Sequence, residues 1–159
     1  MNKRAIVKKI VAKLTDELEV YFRAAHYARA EATHESNKPE NKYDTRGLEA
    51  SYLARGQSKQ AAELETAIKE FEAIAGAKFA PDAPIGLGAL VELDLAGEAA
   101  FYFLGPRAGG TEVVHDRKEI VVITPQSPLG TQLLNKRAGE THELNFGGTR
   151  QPARIAGVW

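Results

Sequence analysis

The sequence contains no cysteine, which excludes disulfide stapling, thiolate nucleophiles and zinc sites built on Cys. It also lacks an excess of either charge, since Lys+Arg and Asp+Glu both total 21. A binder that works by bulk neutralisation of nucleic-acid phosphate needs a basic excess, so that class is disfavoured; a local charged patch is not. No apolar run approaches the roughly 18 residues of a membrane span. Charges interrupt every apolar stretch of "MNKRAIVKKIVAKLTDELEV", so this segment has no signal-peptide core. A soluble cytoplasmic protein is expected. Helix breakers are scarce in the first 75 residues, which hold only Pro39, Gly47 and Gly56. What is plentiful is apolar residue, at 43% of the 159 residues, enough to pack a core in one ordinary domain or two small ones.

The breaker-poor first half reads as helix. Val7, Val11, Leu14, Leu18, Tyr21, Ala25, Ala28 and Ala32 recur at alternating spacings of four and three, the seam that lets one helix lie along another. A second run carries Ala50, Leu53, Leu64, Ala67, Phe71 and Ile74 in the same rhythm, interrupted at Gln57 and Gln60. Between the runs lies "ESNKPENKYDTR" at 35–46, a short polar break, so an antiparallel helical hairpin over 1–76 is expected. Bulky seam residues fill the end near the termini, and alanines fill the end near the turn. With about 30 residues per helix, the hairpin would extend on the order of 45 Å.

Residues 77–88 are rich in Gly, Ala and Pro and read as a linker. From 89 to 159 the pattern is one of strands. "ALVELDL" alternates, "AAFYFLG" is aromatic, and "TEVVH" and "EIVVIT" are β-branched. "PRAGG" supplies a turn between the second and third. "THELNF" and "RQPARIAGVW" complete a mainly antiparallel sheet. One helix interrupts the strands in "SPLGTQLLNKRAGE", with Ser127 as N-cap, Pro128 at the first helical position and Gly139 following its end. The expected fold class is α+β.

Several chemical motifs fail on inspection. "GLGALV" at 86–91 starts like a dinucleotide fingerprint, but it lacks the third Gly and leads into a strand. His26, His34, His115 and His142 show no helical pair with a third ligand, so no metal site of the protein's own is expected. The charged turn remains. Asn37 can cap the second helix with Glu40 as capping-box partner, Pro39 fits the first turn, and Lys38, Lys42 and Arg46 form a solvated face. Alternatively, carboxylates on the tip of a slender hairpin would offer hard oxygen ligands for Mg²⁺ in another protein's active site. Composition leaves both open.

"VVITPQSPLGTQLLNKRAGE" resembles the C-terminal signature of the Gre family of bacterial transcript-cleavage factors, GreA and GreB: a β-branched strand, "SPLG", a short helix and a Gly-Glu turn. The resemblance implies an N-terminal antiparallel coiled coil and an FKBP-like C-terminal domain. It implies RNA polymerase as partner, with indirect contact to nascent RNA. The C-terminal domain, here carrying Ser127, Pro128, Leu129 and Gly130, would dock at the rim of the secondary channel, and the coiled coil would pass down it. Tip carboxylates would help hold the second Mg²⁺ of the polymerase, making the factor at most a co-catalyst rather than an enzyme, with no cofactor of its own. A monomer is expected. On the family's tip pattern "GD.SENAEY", Glu40 and Asn41 fall on the "EN", and Tyr43 matches the Tyr after a one-residue deletion. The Asp position falls on Asn37, leaving Asp44 and Glu35 as nearby substitute carboxylates beside Lys38, Lys42 and Arg46. A non-cleaving regulator that occupies the channel is the alternative outcome. Two other classes are weighed beside it. One is a peptidyl-prolyl isomerase, which would need a pocket built from Tyr102, Phe103, Phe146 and Trp159; the other is a coiled-coil scaffold.

Overall fold

The computed structural model describes residues 1–35 and 46–159. Two long helices come first, α1 (Lys3–Thr33) and α2 (Arg46–Ile74). Six strands and a short helix follow: β1 (Leu90–Leu95), β2 (Glu98–Leu104), β3 (Glu112–His115), β4 (Lys118–Ile123), α3 (Pro128–Leu133), β5 (Thr141–Phe146) and β6 (Thr149–Val158). The chain divides into two compact units. One contains Met1–Val11 with Lys69–Trp159, and the other Ala12–Ile68. The first turns of α1 and the last of α2 therefore belong to the unit that holds the sheet.

In the helical unit, Leu14, Ala28, Ala54, Ala61 and Ala67 are buried. Small residues bury little area each but let two backbones approach closely. The end of α1 shares a cleft with Ala54 and Arg55 of α2. The start of α1 shares another with the residues that follow α2, so the two helices run in opposite directions. One expectation needs correction. The seam of α2 runs through Ala54 and Ala61, while Leu53 is 56% exposed and Gln60 is exposed. A 3.5-residue period counted back from Phe71 lands between positions 53 and 54, and close approach of the helices admits the smaller side chain.

In the other unit the strand order is β3-β4-β2-β1-β6-β5. Four neighbouring pairs are antiparallel, but β2 and β4 are parallel, so the sheet is mixed. The "PRAGG" segment does connect β2 to β3, yet the two are not neighbours, because β4 lies between them. Three hairpins close on two-residue turns in the left-handed region. These are Ala96-Gly97 (φ 56° and 96°), Asp116-Arg117 (51° and 60°) and Gly147-Gly148 (63° and 104°). Such turns match the twist of the strands they join. Side-chain acceptors brace two of them: Gly97 N–H donates to Asp94 Oδ1 at 2.7 Å, and Gly148 N–H to Asn145 Oδ1 at 2.7 Å. Pro152 sits in β6 before the stretch that pairs with β1, which begins at Arg154, so its missing N–H breaks no ladder there.

Strand alternation sends side chains to two faces. On one, Val91, Leu93, Leu104, Ile123, Leu144 and Ile155 form a core closed by Leu133 of α3. Tyr102 packs against that core, while Phe103 faces the other way and meets the Phe71 ring at 5.9 Å between centroids. Ile6, Val7 and Ile10 are buried within this same unit. Gly105 lies under Phe71, where a Cβ would come within 2.6 Å of the ring.

Candidate functional site

The SPLG stretch is fixed by local chemistry. After β4, the Thr124 carbonyl accepts from Ser127 N–H at 3.0 Å and from Ser127 Oγ at 2.8 Å. The same Oγ accepts from Gly130 N–H at 3.1 Å and so caps α3, with Pro128 in the first turn where a missing N–H costs nothing. Gly130 is buried, and a Cβ there would lie 1.9 Å from the Thr124 carbonyl oxygen. Leu129 packs on the core. Each of the four residues thus has a structural job. Their outer face is not featureless: Ser127, Pro128 and Leu129 border an apolar cavity of about 390 Å³ with Val121, Ile123 and Phe146.

The helix is shorter than expected. It ends at Leu133, with Leu134 as C-cap, well before Gly139. Asn135 takes a left-handed φ of 64°, a conformation that Asn tolerates. Its N–H then donates to Ile85 O at 3.0 Å, and Ile85 N–H donates to Lys136 O at 2.7 Å. That pairing with the segment before β1 outcompetes another helical turn. Gln132 has a role that its sequence position did not signal. Its Oε1 accepts from Asn145 N–H at 2.8 Å and its Nε2 donates to Asn145 O at 3.2 Å, so it covers the open edge of β5 as a strand would. Lys9 does the same for β3 by donating to Val114 O at 2.6 Å.

Of the tip candidates, Glu35 is exposed just beyond α1, and Arg46 is the first residue of α2. Asn37, Lys38, Glu40, Asn41, Lys42, Tyr43 and Asp44 lie outside the described residues, as do the expected cap and capping box. In the described part of the helices, Thr33 Oγ1 donates to Arg29 O at 3.1 Å, and a cleft of about 310 Å³ opens between Arg29, Thr33, Arg55 and Ser58. Val20, Tyr27, Tyr52 and Leu53 are exposed on the helices. The exposure of Leu53 was hidden from sequence by its apparent place in the seam.

The four rings required for an isomerase pocket do not converge. Phe103 is fully buried against Phe71, Tyr102 lies on the opposite face, Phe146 borders the SPLG cavity, and Trp159 lines a different cavity near Lys3. Burial raises the Tyr102 phenol above its ordinary range. Among the described residues, no group of three His, Asp or Glu is placed to hold a metal ion. His142 Nε2 lies 2.7 Å from Glu140 Oε2. That hydrogen bond, aided by one to the carboxylate from the backbone of Arg137, holds the Glu140 carboxyl below its usual range.

The fold defines an α+β protein in which an antiparallel helix pair precedes a mixed six-stranded sheet carrying one capped helix. No family model and no curated protein matches the chain. Among solved structures it is similar to GreA factor homolog 1 (Gfh1) of Thermus thermophilus, at 23% identity over 94% of each chain with a TM-score of 0.40. Gfh1 of Thermus aquaticus is 23% identical over 92% of each chain, with a TM-score of 0.41. The prokaryotic transcription elongation factor GreA/GreB from Nitrosomonas europaea is 21% identical over 74% of this chain and 94% of that one, with a TM-score of 0.34.

Proposed function

We propose that the protein is a Gre-like transcription factor that binds RNA polymerase, enters its secondary channel with the helix pair and modulates elongation. One observation carries this reading. The SPLG signature closes a strand-to-helix corner through Ser127 and Gly130, and it follows an antiparallel helix pair in the chain. The apolar cavity beside Pro128 and Leu129 offers a docking point for an apolar side chain of the polymerase. The factor would be no enzyme itself. Glu40, with Asp44 or Glu35, would add carboxylate oxygen to the polymerase Mg²⁺ site and orient the attacking water. Lys38, Lys42 and Arg46 would contact acidic channel walls or RNA phosphate. It would work as a cytoplasmic monomer.

A second reading keeps the binding and drops the cleavage. Asn37 stands where the tip pattern carries Asp, and an amide ligates Mg²⁺ only through a neutral carbonyl. The test is RNA shortening in a stalled, backtracked elongation complex from the same organism. Under the cleavage reading the protein accelerates shortening, Glu40→Ala abolishes the gain, and Asn37→Asp increases it. Under the second reading there is no acceleration, and the protein competes with a cleavage-active factor. Failure to co-elute with RNA polymerase at all overturns both.

A further inference from the structure

We propose that the cavity where the start of α1 meets the segment after α2 binds a nucleoside phosphate. The cavity measures about 510 Å³, within the size range of small-ligand sites. Lys3, Arg4 and Lys78 line it, and none of its described lining residues is acidic. All of them belong to the unit that holds the sheet. Lys3 is the only charged residue of the described chain in the buried class, at 9% exposure. Its Nζ donates to Gly88 O at 3.0 Å and to Trp159 O at 3.3 Å, and lies 4.6 Å from the centre of the Phe79 ring. Backbone oxygens and a ring face satisfy its hydrogen bonds without bringing a carboxylate side chain to its charge. Burial accordingly pushes the ammonium below its ordinary range.

Tethering α1 to the sheet accounts for Lys3, but not for the gathering of Arg4 and Lys78 around the same opening. Like charges that converge with no acidic side chain among them repel one another until an anion enters. The carbonyl end of α2 opposes an anion, and two of its final carbonyls are already used: Ala75 N–H donates to Glu72 O and Ala77 N–H to Ile74 O. The walls specify more than an anion. Phe79 and Trp159 both border the cavity, and the Trp159 ring is seated on Gly157, where a Cβ would come within 2.4 Å of it. An indole fixed in this way is ready to stack on a planar base without further ordering cost. Exposed Arg4 supplies a guanidinium fork suited to phosphate oxygens, and Lys78 adds a mobile point charge.

Trp159 is the only tryptophan in the chain, so its fluorescence reports on this cavity alone. The full-length protein would be titrated with adenosine and guanosine 5′-phosphates, with the unphosphorylated nucleosides and with inorganic phosphate. Calorimetry would check each signal against optical artefacts. A saturable change with the nucleotides is expected, weaker by about tenfold for each charge removed in Arg4→Gln and Lys78→Gln. Both side chains are exposed, and circular dichroism should show both variants folded. The proposal is overturned by the absence of saturable binding at millimolar nucleotide, by equal binding to the folded double variant, or by inorganic phosphate binding as tightly as the nucleotides. The measurement needs no RNA polymerase, so its outcome is separate from that of the proposed transcription role.

Discussion

At the residue scale, the SPLG corner and the buried lysine make the sharpest demands. Gly130 has a backbone oxygen 1.9 Å from where a Cβ would sit, and backbone cannot swing aside as a side chain can. Gly130→Ala should therefore destabilise the fold by about 3 kcal/mol or more, read as a loss of urea midpoint. Ser127→Ala removes the cap together with the hydroxyl's bond to the Thr124 carbonyl and should cost about 1–2 kcal/mol. The two together distinguish a close-approach requirement from a capping one. Lys3 makes a pH prediction. Its folded-state pKa lies below the unfolded value of 10.5, so at alkaline pH the unfolded chain binds more protons than the folded one. Its contribution to stability thus rises as pH climbs from the lowered value towards 10.5. In Lys3→Met that upward slope should vanish, which a series of denaturation midpoints against pH would show.

At the element scale, the two-residue hairpins and the base of α2 can be tested. Ala96 and Arg117 hold left-handed φ values that favour Gly or Asn. Ala96→Gly should raise stability by about 0.5 kcal/mol, the relief of strain exceeding the entropy that Gly adds to the unfolded chain, with an unchanged denaturant slope. Phe71 ties the last turn of α2 to β2 through Phe103 and covers Gly105. Phe71→Ala leaves a cavity that neither neighbour can fill and should cost about 3–5 kcal/mol by thermal or urea unfolding. The Arg107–Glu70 pair at 2.8 Å joins α2 to the loop after β2, but Arg107 is exposed and Glu70 half-exposed, so Arg107→Ala should change stability by less than about 1 kcal/mol.

At the scale of the whole molecule, the sequence was legible wherever local preference and burial agreed. The helix seam of α1, the six strands and the Ser127 cap all follow from periodicity, β-branching and capping chemistry that act within a few residues. The seam of α2 was less legible, because period alone does not choose between Leu53 and Ala54; the distance between two helices does. The end of α3 was hidden because Asn135 and Lys136 pair with Ile85, a contact spanning some fifty positions of chain. The parallel β2–β4 pair was hidden because strand order is not a local property. The candidate site divides in the same way. The tip carboxylates and the SPLG signature are sequence features, and Glu40→Ala in a cleavage assay tests the former. The basic aromatic cavity exists only because residues 3, 4, 78, 79 and 159 meet in the fold. Sequence by itself determined which segments are helix or strand, since that depends on backbone preference and side-chain period. Tertiary structure decided strand order, the inner residue of α2 and the company Lys3 keeps, because these depend on which distant surfaces exclude water together.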